Sequence, residues 1–200
     1  TQEVVGTTFI DDCQWDRSGE YTTTGSIVRD ITNGTILCNS AGVLTSKANS
    51  FGEGLYYVRC ANPTNGTDLV LFSNKFTNPA KIHFWRNSSN DDGVINIYVD
   101  GSIVSYIPLT GKHTLGIWIL LVGTTLTMWF DSDNVNAGHV ERSIVTVSGF
   151  SPDYLLNRFE MPRGSSISKI QIIAASSDAT NGIAACIPPI GGGARYGEQE

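Results

Sequence analysis

The sequence predicts an all-β domain, two antiparallel sheets packed face to face as a sandwich or jelly roll. Helix signatures are nearly absent from its 200 residues. Val, Ile, Thr, Tyr, Phe and Trp gather into short runs separated by Gly, Asn, Asp and Pro, the composition of strands and their turns. Within most runs apolar and polar side chains alternate, the period of a half-buried strand.

Taken in order, Gly54 to Cys60 (GLYYVRC) sets Leu55, Tyr57 and Arg59 against Tyr56, Val58 and Cys60. Leu69 to Ser73 (LVLFS) is apolar up to its serine, as expected of a strand covered on both faces. In Lys81 to Arg86 (KIHFWR), Ile82 and Phe84 face inward while Lys81, His83 and Trp85 face outward. Val94 to Asp100 (VINIYVD) repeats the pattern, Ile95, Ile97 and Val99 against Asn96 and Tyr98. Asp100-Gly101 then marks a tight hairpin into Ser102 to Ile107 (SIVSYI).

Ile117 to Val122 is apolar on both faces, which places it in mid-sheet with Trp118 in the core. Gly123-Thr124 turns the chain into Thr125 to Phe130 (TLTMWF), where Leu126, Met128 and Phe130 oppose Thr127 and Trp129. Strands follow at Ser143 to Val147 and Ile167 to Ala174. Ser151 to Phe159 (SPDYLLNRF) carries a helix-start signature good for one or two turns. Ile187 to Glu200, with two prolines and Gly191-Gly192-Gly193, cannot form a core strand and reads as an arm or linker. The expected organisation is a jelly-roll domain over residues 1–186 and an extended C-terminal arm over 187–200.

Composition excludes several functions. A formal net charge of −6 argues against a nucleic-acid surface, which shows a basic stripe. No apolar run reaches the roughly 18 residues of a membrane helix, so no membrane insertion is expected. The first residues, TQEVVGTTF, lack the basic and apolar regions of a signal peptide, as a mature product or an excised domain would. Cys13, Cys38, Cys60 and Cys186 are spaced too widely for a redox or zinc motif; they allow either two disulfides, in three connectivities, or buried free thiols. Glycosylation sequons stand at Asn33, Asn65 and Asn87.

From about Phe51 to Ala174 the order of pieces resembles the concanavalin A-like lectin/glucanase superfamily, in its laminin-G and pentraxin-like branches. FGEGLYYVRC and DLVLFSN resemble two early core strands, and KIHFWRNSSNDDGVINIYVDG the hairpin ending in Asp-Gly. HTLGIWILLVGTTLTMWFDSDNV is similar to the pair in which a Trp-containing strand leads through a Gly turn. YLLNRF followed by GSSISKIQII resembles the closing strand. The resemblance implies a two-sheet antiparallel jelly roll that binds glycans or protein partners, sometimes with calcium, and in some members cleaves glycosidic bonds. Icosahedral virus coat proteins are also jelly rolls rich in Thr and Asn, and many end in an arm like residues 187–200.

The candidate chemistry favours recognition over catalysis. A glycosidase needs two carboxylates about 5–5.5 Å or about 6.5–9.5 Å apart. Glucanases of the superfamily carry them in a Glu-x-Asp-x-x-Glu strand, and no glutamate of this chain sits in such a cluster. No nucleophile elbow accompanies the scattered His83, His113 and His139. Neither an enzyme nor catalytic residues are expected.

Trp85, Tyr98 and Trp129, with His83 and Asn96, occupy the polar-alternating faces of their strands. Aromatic faces stack on sugar rings while amides and imidazoles bond hydroxyls; the same residues also suit a protein interface. Asp131, Asp133, Asn134 and Asn136 offer hard oxygens at a spacing compatible with calcium, or simply stabilise a turn. The expectation is a non-catalytic domain binding a glycan or receptor protein, extracellular or on a virion surface, as a homo-oligomer or larger assembly. The alternative is a structural capsid or fibre subunit assembled through its arm.

Overall fold

The computed structural model describes residues 8–47, 53–73, 80–89, 93–99, 101–109, 114–132, 140–148 and 157–174. The first strands are β1 (Thr8–Asp11), β2 (Tyr21–Thr23), β3 (Ser26–Asp30), β4 (Thr35–Ser40) and β5 (Gly42–Ser46). Then come β6 (Gly54–Ala61), β7 (Asp68–Leu71), β8 (Ala80–Arg86), β9 (Gly93–Val99) and β10 (Ser102–Leu109). The last are β11 (Thr114–Val122), β12 (Thr125–Ser132), β13 (Val140–Val147), β14 (Arg158–Met161) and β15 (Ser166–Ala174). An eight-stranded sheet runs β13-β12-β11-β6-β15-β4-β3, with β1 also paired to β15. A seven-stranded sheet runs β10-β9-β8-β7-β14-β5-β2. No helix among the described residues is long and apolar enough to cross a membrane.

The alternation read from the sequence sorts the core. Tyr56, Val58, Ile117, Ile119, Met128 and Ile170 of the eight-stranded sheet share one cluster with Leu69, Ile82, Phe84, Ile95, Ile97 and Phe159 of the other. Burying such a side chain contributes roughly 1.5–3 kcal/mol, so this inter-sheet layer dominates stability. The expected hairpins form at Gly101 and Gly123, both left-handed (φ 77° and 59°), with Ser102 opposite Val99 and Thr125 opposite Val122.

Several expectations need correction. Arg158 and Phe159, assigned to a helix turn, lie in β14, where Phe159 fills the core and pairs with Leu44; residues 151–156 lie outside the described residues. Phe72 takes a left-handed conformation (φ 47°), so β7 stops at Leu71 short of Ser73. Trp118 is buried as expected, yet on the side of β11 away from the other sheet. It is paired and packed with Tyr57, ring centroids 4.5 Å apart. The arm, residues 187–200, lies outside the described residues.

Two devices close the N-terminal edge. Asp11 on β1 is fully buried and accepts a bidentate pair of hydrogen bonds from Arg29 of β3, at 2.9 and 2.8 Å. It also accepts from the Tyr21 hydroxyl (2.7 Å) and the Cys13 amide (2.9 Å). A cavity of about 110 Å³, lined by Tyr21, Arg29, Ile36 and Leu44 among others, adjoins this network. The second device is a backbone crossing. The links β2–β3 and β4–β5 both pass between the sheets, and they meet at Gly25 and Gly42. A Cβ on Gly42 would stand 2.0 Å from the Thr24 carbonyl oxygen; one on Gly25, where φ is +71°, would stand 2.4 Å from the Ala41 carbonyl oxygen.

Of the two cysteine readings, the structure supports free thiols. Cys13, Cys38 and Cys60 are unpaired and buried; Cys186 lies outside the described residues. Burial pushes the Cys13 and Cys60 thiols up to about 12, with the Asp11 carboxylate adding to the effect at Cys13. Such thiols are inert in the native state.

Candidate functional site

The outer face of the seven-stranded sheet is read directly from its register. Tyr106 on β10 is opposite Asn96 on β9, Asn96 opposite His83 on β8, and His83 opposite Val70 on β7. Val70 is opposite Glu160 on β14, and Glu160 opposite Val43 on β5. Residues opposed in register share a face, so one row crosses six strands. Beside it, Tyr98 is opposite Ile103, and Asp68 is opposite Trp85.

This face is unusual in its polarity. His83 Nδ1 hydrogen-bonds Asp68 Oδ2, and the imidazole packs against Tyr98 with ring centroids 4.7 Å apart and planes tilted by 47°. Asp68 Oδ1, His83 Nε2 and Asn96 Oδ1 are buried and have no hydrogen-bond partner among the described residues. Asn96 itself is only 7% exposed. Leaving such a group unpaired costs about 1–3 kcal/mol. Asp68 and Glu160 also line an open depression of about 370 Å³ with Val43 and Pro162. Arg158 NH1, donating to Ser73 Oγ at 2.8 Å, stands 3.7 Å from Glu160. At the rim, Tyr106 is 58% and Ile103 52% exposed.

The register places His83, Trp85, Asn96 and Tyr98 on one face of the seven-stranded sheet and Trp129 in the other sheet. Trp129 belongs to β12 of the eight-stranded sheet, paired with Trp118, so the five residues do not form one platform. Asp131, read as the start of a turn, continues β12 and pairs with Gly116 and Val140. Asp133, Asn134 and Asn136 lie outside the described residues. Among the described residues, no group of three or more His, Cys, Asp or Glu could hold a metal ion.

Tyr106, Asp68 and Glu160 were not anticipated from sequence. Counting back from the Asp-Gly hairpin in plain alternation puts Tyr106 opposite Ile95, facing the core. A β-bulge between Ile103 and Ser105 inserts one extra residue and moves Tyr106 onto Asn96, which turns it outward. The signal that could have flagged it is the consecutive apolar pair Ile103-Val104, which breaks alternation within the strand.

No family model and no curated protein sequence matches the chain. Among solved structures, it is similar to a Bacillus licheniformis β-glucanase, with a TM-score of 0.61 at 12% identity, covering 85% of this chain and 99% of that one. It is also similar to the exoplasmic/lumenal domain of VIP36 in a Ca2+- and Man2-bound form, with a TM-score of 0.59, 11% identity and coverage of 87% and 91%. A third is the CBM2 module of the evolved Dit protein of Lactobacillus casei BL23 phage J-1, with a TM-score of 0.55, 14% identity and coverage of 86% and 99%. The likeness reaches well beyond the Phe51–Ala174 stretch that carried the sequence resemblance. Two packed antiparallel sheets and these likenesses show the fold that the concanavalin A-like resemblance implies, a two-sheet antiparallel jelly roll.

Proposed function

We propose that the chain is a non-catalytic carbohydrate-recognition domain, acting outside the cell or on a virion surface, and that the outer face of the seven-stranded sheet is its glycan platform. One observation carries the reading: an exposed aromatic, Tyr106, stands in register with buried Asn96, whose amide oxygen has no partner among the described residues. Sugars need this pairing of an apolar ring face with fixed polar groups beneath it. The likeness in fold to the Man2-bound VIP36 domain and to the phage CBM2 module supports this reading. Against catalysis, Asp68 is bonded to His83 and Glu160 stands beside Arg158.

The test is a glycan array probed with wild type, Tyr106→Ala and Trp129→Ala. Wild type is expected to bind, Tyr106→Ala about ten-fold more weakly, and Trp129→Ala as well as wild type. A ten-fold change corresponds to about 1.4 kcal/mol, the scale of one aromatic contact. Wild type bound to nothing, together with a large defined native mass, would instead favour a capsid or fibre subunit. The exposed edge strand β10, with Ile103, Val104 and Tyr106, would suit a subunit contact of that kind.

Calcium enters this proposal only through the 131–136 segment. If that segment binds it, EDTA lowers the melting midpoint by several degrees and added calcium restores it. An unchanged midpoint removes calcium from the reading.

A further inference from the structure

We infer that the cavity between the last strands of the two sheets receives the acetamido group of an N-acetylated saccharide. β3 ends the eight-stranded sheet, β2 ends the seven-stranded one, and residues of both line the cavity. Thr23 stands opposite Leu44 on one sheet, and Arg29 opposite Ile36 on the other, so each pair shares a face. Ser18 and Thr23 are exposed, so the cavity meets solvent beside them. The inference extends the glycan reading above to a second part of the fold and stands on separate residues.

The lining divides by chemistry. Ile27, Ile36 and Leu44 supply an apolar wall, and Arg29 supplies the polar side. Arg29 Nη1 donates to Asp11 Oδ1 and to the Trp15 carbonyl, and Nη2 donates to Asp11 Oδ2. The Nε proton and one Nη2 proton are left without an acceptor among the described residues. Buried Asp11 already balances the guanidinium charge. A carboxylate or sulfate entering here would meet the field of Asp11, and an ammonium that of Arg29. The group that fits is neutral, with a hydrogen-bond acceptor at one end and a short apolar body at the other.

Size narrows the class further. An apolar cavity of about 150 Å³ holds benzene, so one of about 110 Å³ suits a group of about four heavy atoms. An acetamido group has that size. Its carbonyl oxygen accepts from Arg29, its methyl group packs on Ile36 and Leu44, and its N–H reaches the Thr23 hydroxyl at the opening. A sugar ring is too large to enter, and a hydroxyl alone leaves the apolar wall unfilled.

The experiment titrates the purified protein calorimetrically with diacetylchitobiose and with cellobiose, which differ only in acetamido against hydroxyl at C2. The acetylated disaccharide is expected to bind at least about ten-fold more tightly, which is about 1.4 kcal/mol. Thr23→Trp covers the opening and Leu44→Phe fills part of the cavity, and each is expected to narrow that ratio at least about three-fold. Tyr106→Ala, on the outer face, is expected to leave the ratio unchanged. Equal binding of the two disaccharides, or none of the acetylated one, overturns the inference, and the glycan reading then stands or falls by the array alone. A ratio lost in Tyr106→Ala and kept in Thr23→Trp also overturns it, by moving the acetamido contact to the outer face. An acetyl-lysine peptide bound as tightly as diacetylchitobiose overturns the saccharide assignment. Thr23 is exposed, so its variant keeps the test intact should Leu44→Phe fail to fold.

Discussion

Replacing Asp11 with alanine is expected to lower unfolding free energy by about 3–5 kcal/mol, the usual consequence of stranding one member of a buried ion pair. Arg29 would keep its charge at 8% side-chain exposure with no carboxylate to receive it, and the Tyr21 hydroxyl and Cys13 amide would lose their acceptor. Equilibrium urea denaturation of the purified protein measures this. A loss below about 1 kcal/mol would mean that the network contributes little.

The same group sets a pH dependence. Burial alone would raise the Asp11 carboxyl, but the hydrogen bonds from Arg29, Tyr21 and the Cys13 amide outweigh it and hold the group below the usual carboxylate range. The unfolded chain therefore takes up this proton first. The stabilisation is fully present above the unfolded value, about 3.9, and is lost as pH falls through the lower native value. Asp11→Asn should flatten that acid limb of the stability curve while leaving its shape above pH 5 unchanged.

The second large effect is expected at the crossing glycines. Gly25→Ala should cost about 3 kcal/mol, combining roughly 1–2 kcal/mol for a left-handed non-glycine residue with overpacking of about 1–3 kcal/mol. Gly42→Ala introduces a Cβ 2.0 Å from the Thr24 carbonyl oxygen, and the obstructing atom is backbone rather than a side chain that can rotate away. Either substitution must push the β2–β3 link off the β4–β5 link, which loosens both sheets at one edge. Because the two positions meet, the double variant is expected to cost less than the sum of the singles. Melting curves for the three variants decide it; fully additive losses would show that the two sites relax independently.

Legibility in the sequence followed the physics of alternation. From β6 to β12 and again in β15, an apolar inner face opposes a more polar or separately covered outer face, and period two is visible without other information. The N-terminal strands hide it. β2 has three residues, β3 places Arg29 inward to meet Asp11, and β3 and β4 expose Val28 and Leu37 on the outside. An inward charge and outward aliphatics reverse the rule on which the reading depends.

The candidate site was legible for a related reason and incomplete for another. Alternation shows that Trp85, Tyr98 and Trp129 each oppose a core-facing set, but it does not say which sheet a strand joins. β12 lies in the other layer, so Trp129 fell away. Tyr106 was hidden because a single bulge residue inverts the parity on which every facing assignment rests. Asp68 and Glu160 sit at the start of β7 and within the short β14, whose contact exists only after the chain has crossed between sheets. Long-range pairings of this kind have no local signature.

The pairing of β1 with β15 has a consequence for display. Thr8 stands opposite Ile173, so the chain enters and leaves the described domain roughly one strand spacing apart, about 5 Å. Both points lie on the eight-stranded sheet, the layer opposite the one that carries His83, Asn96 and Tyr106. Closing so narrow a gap costs little loop entropy, so both ends of the described domain are tied to one strand pair of that sheet.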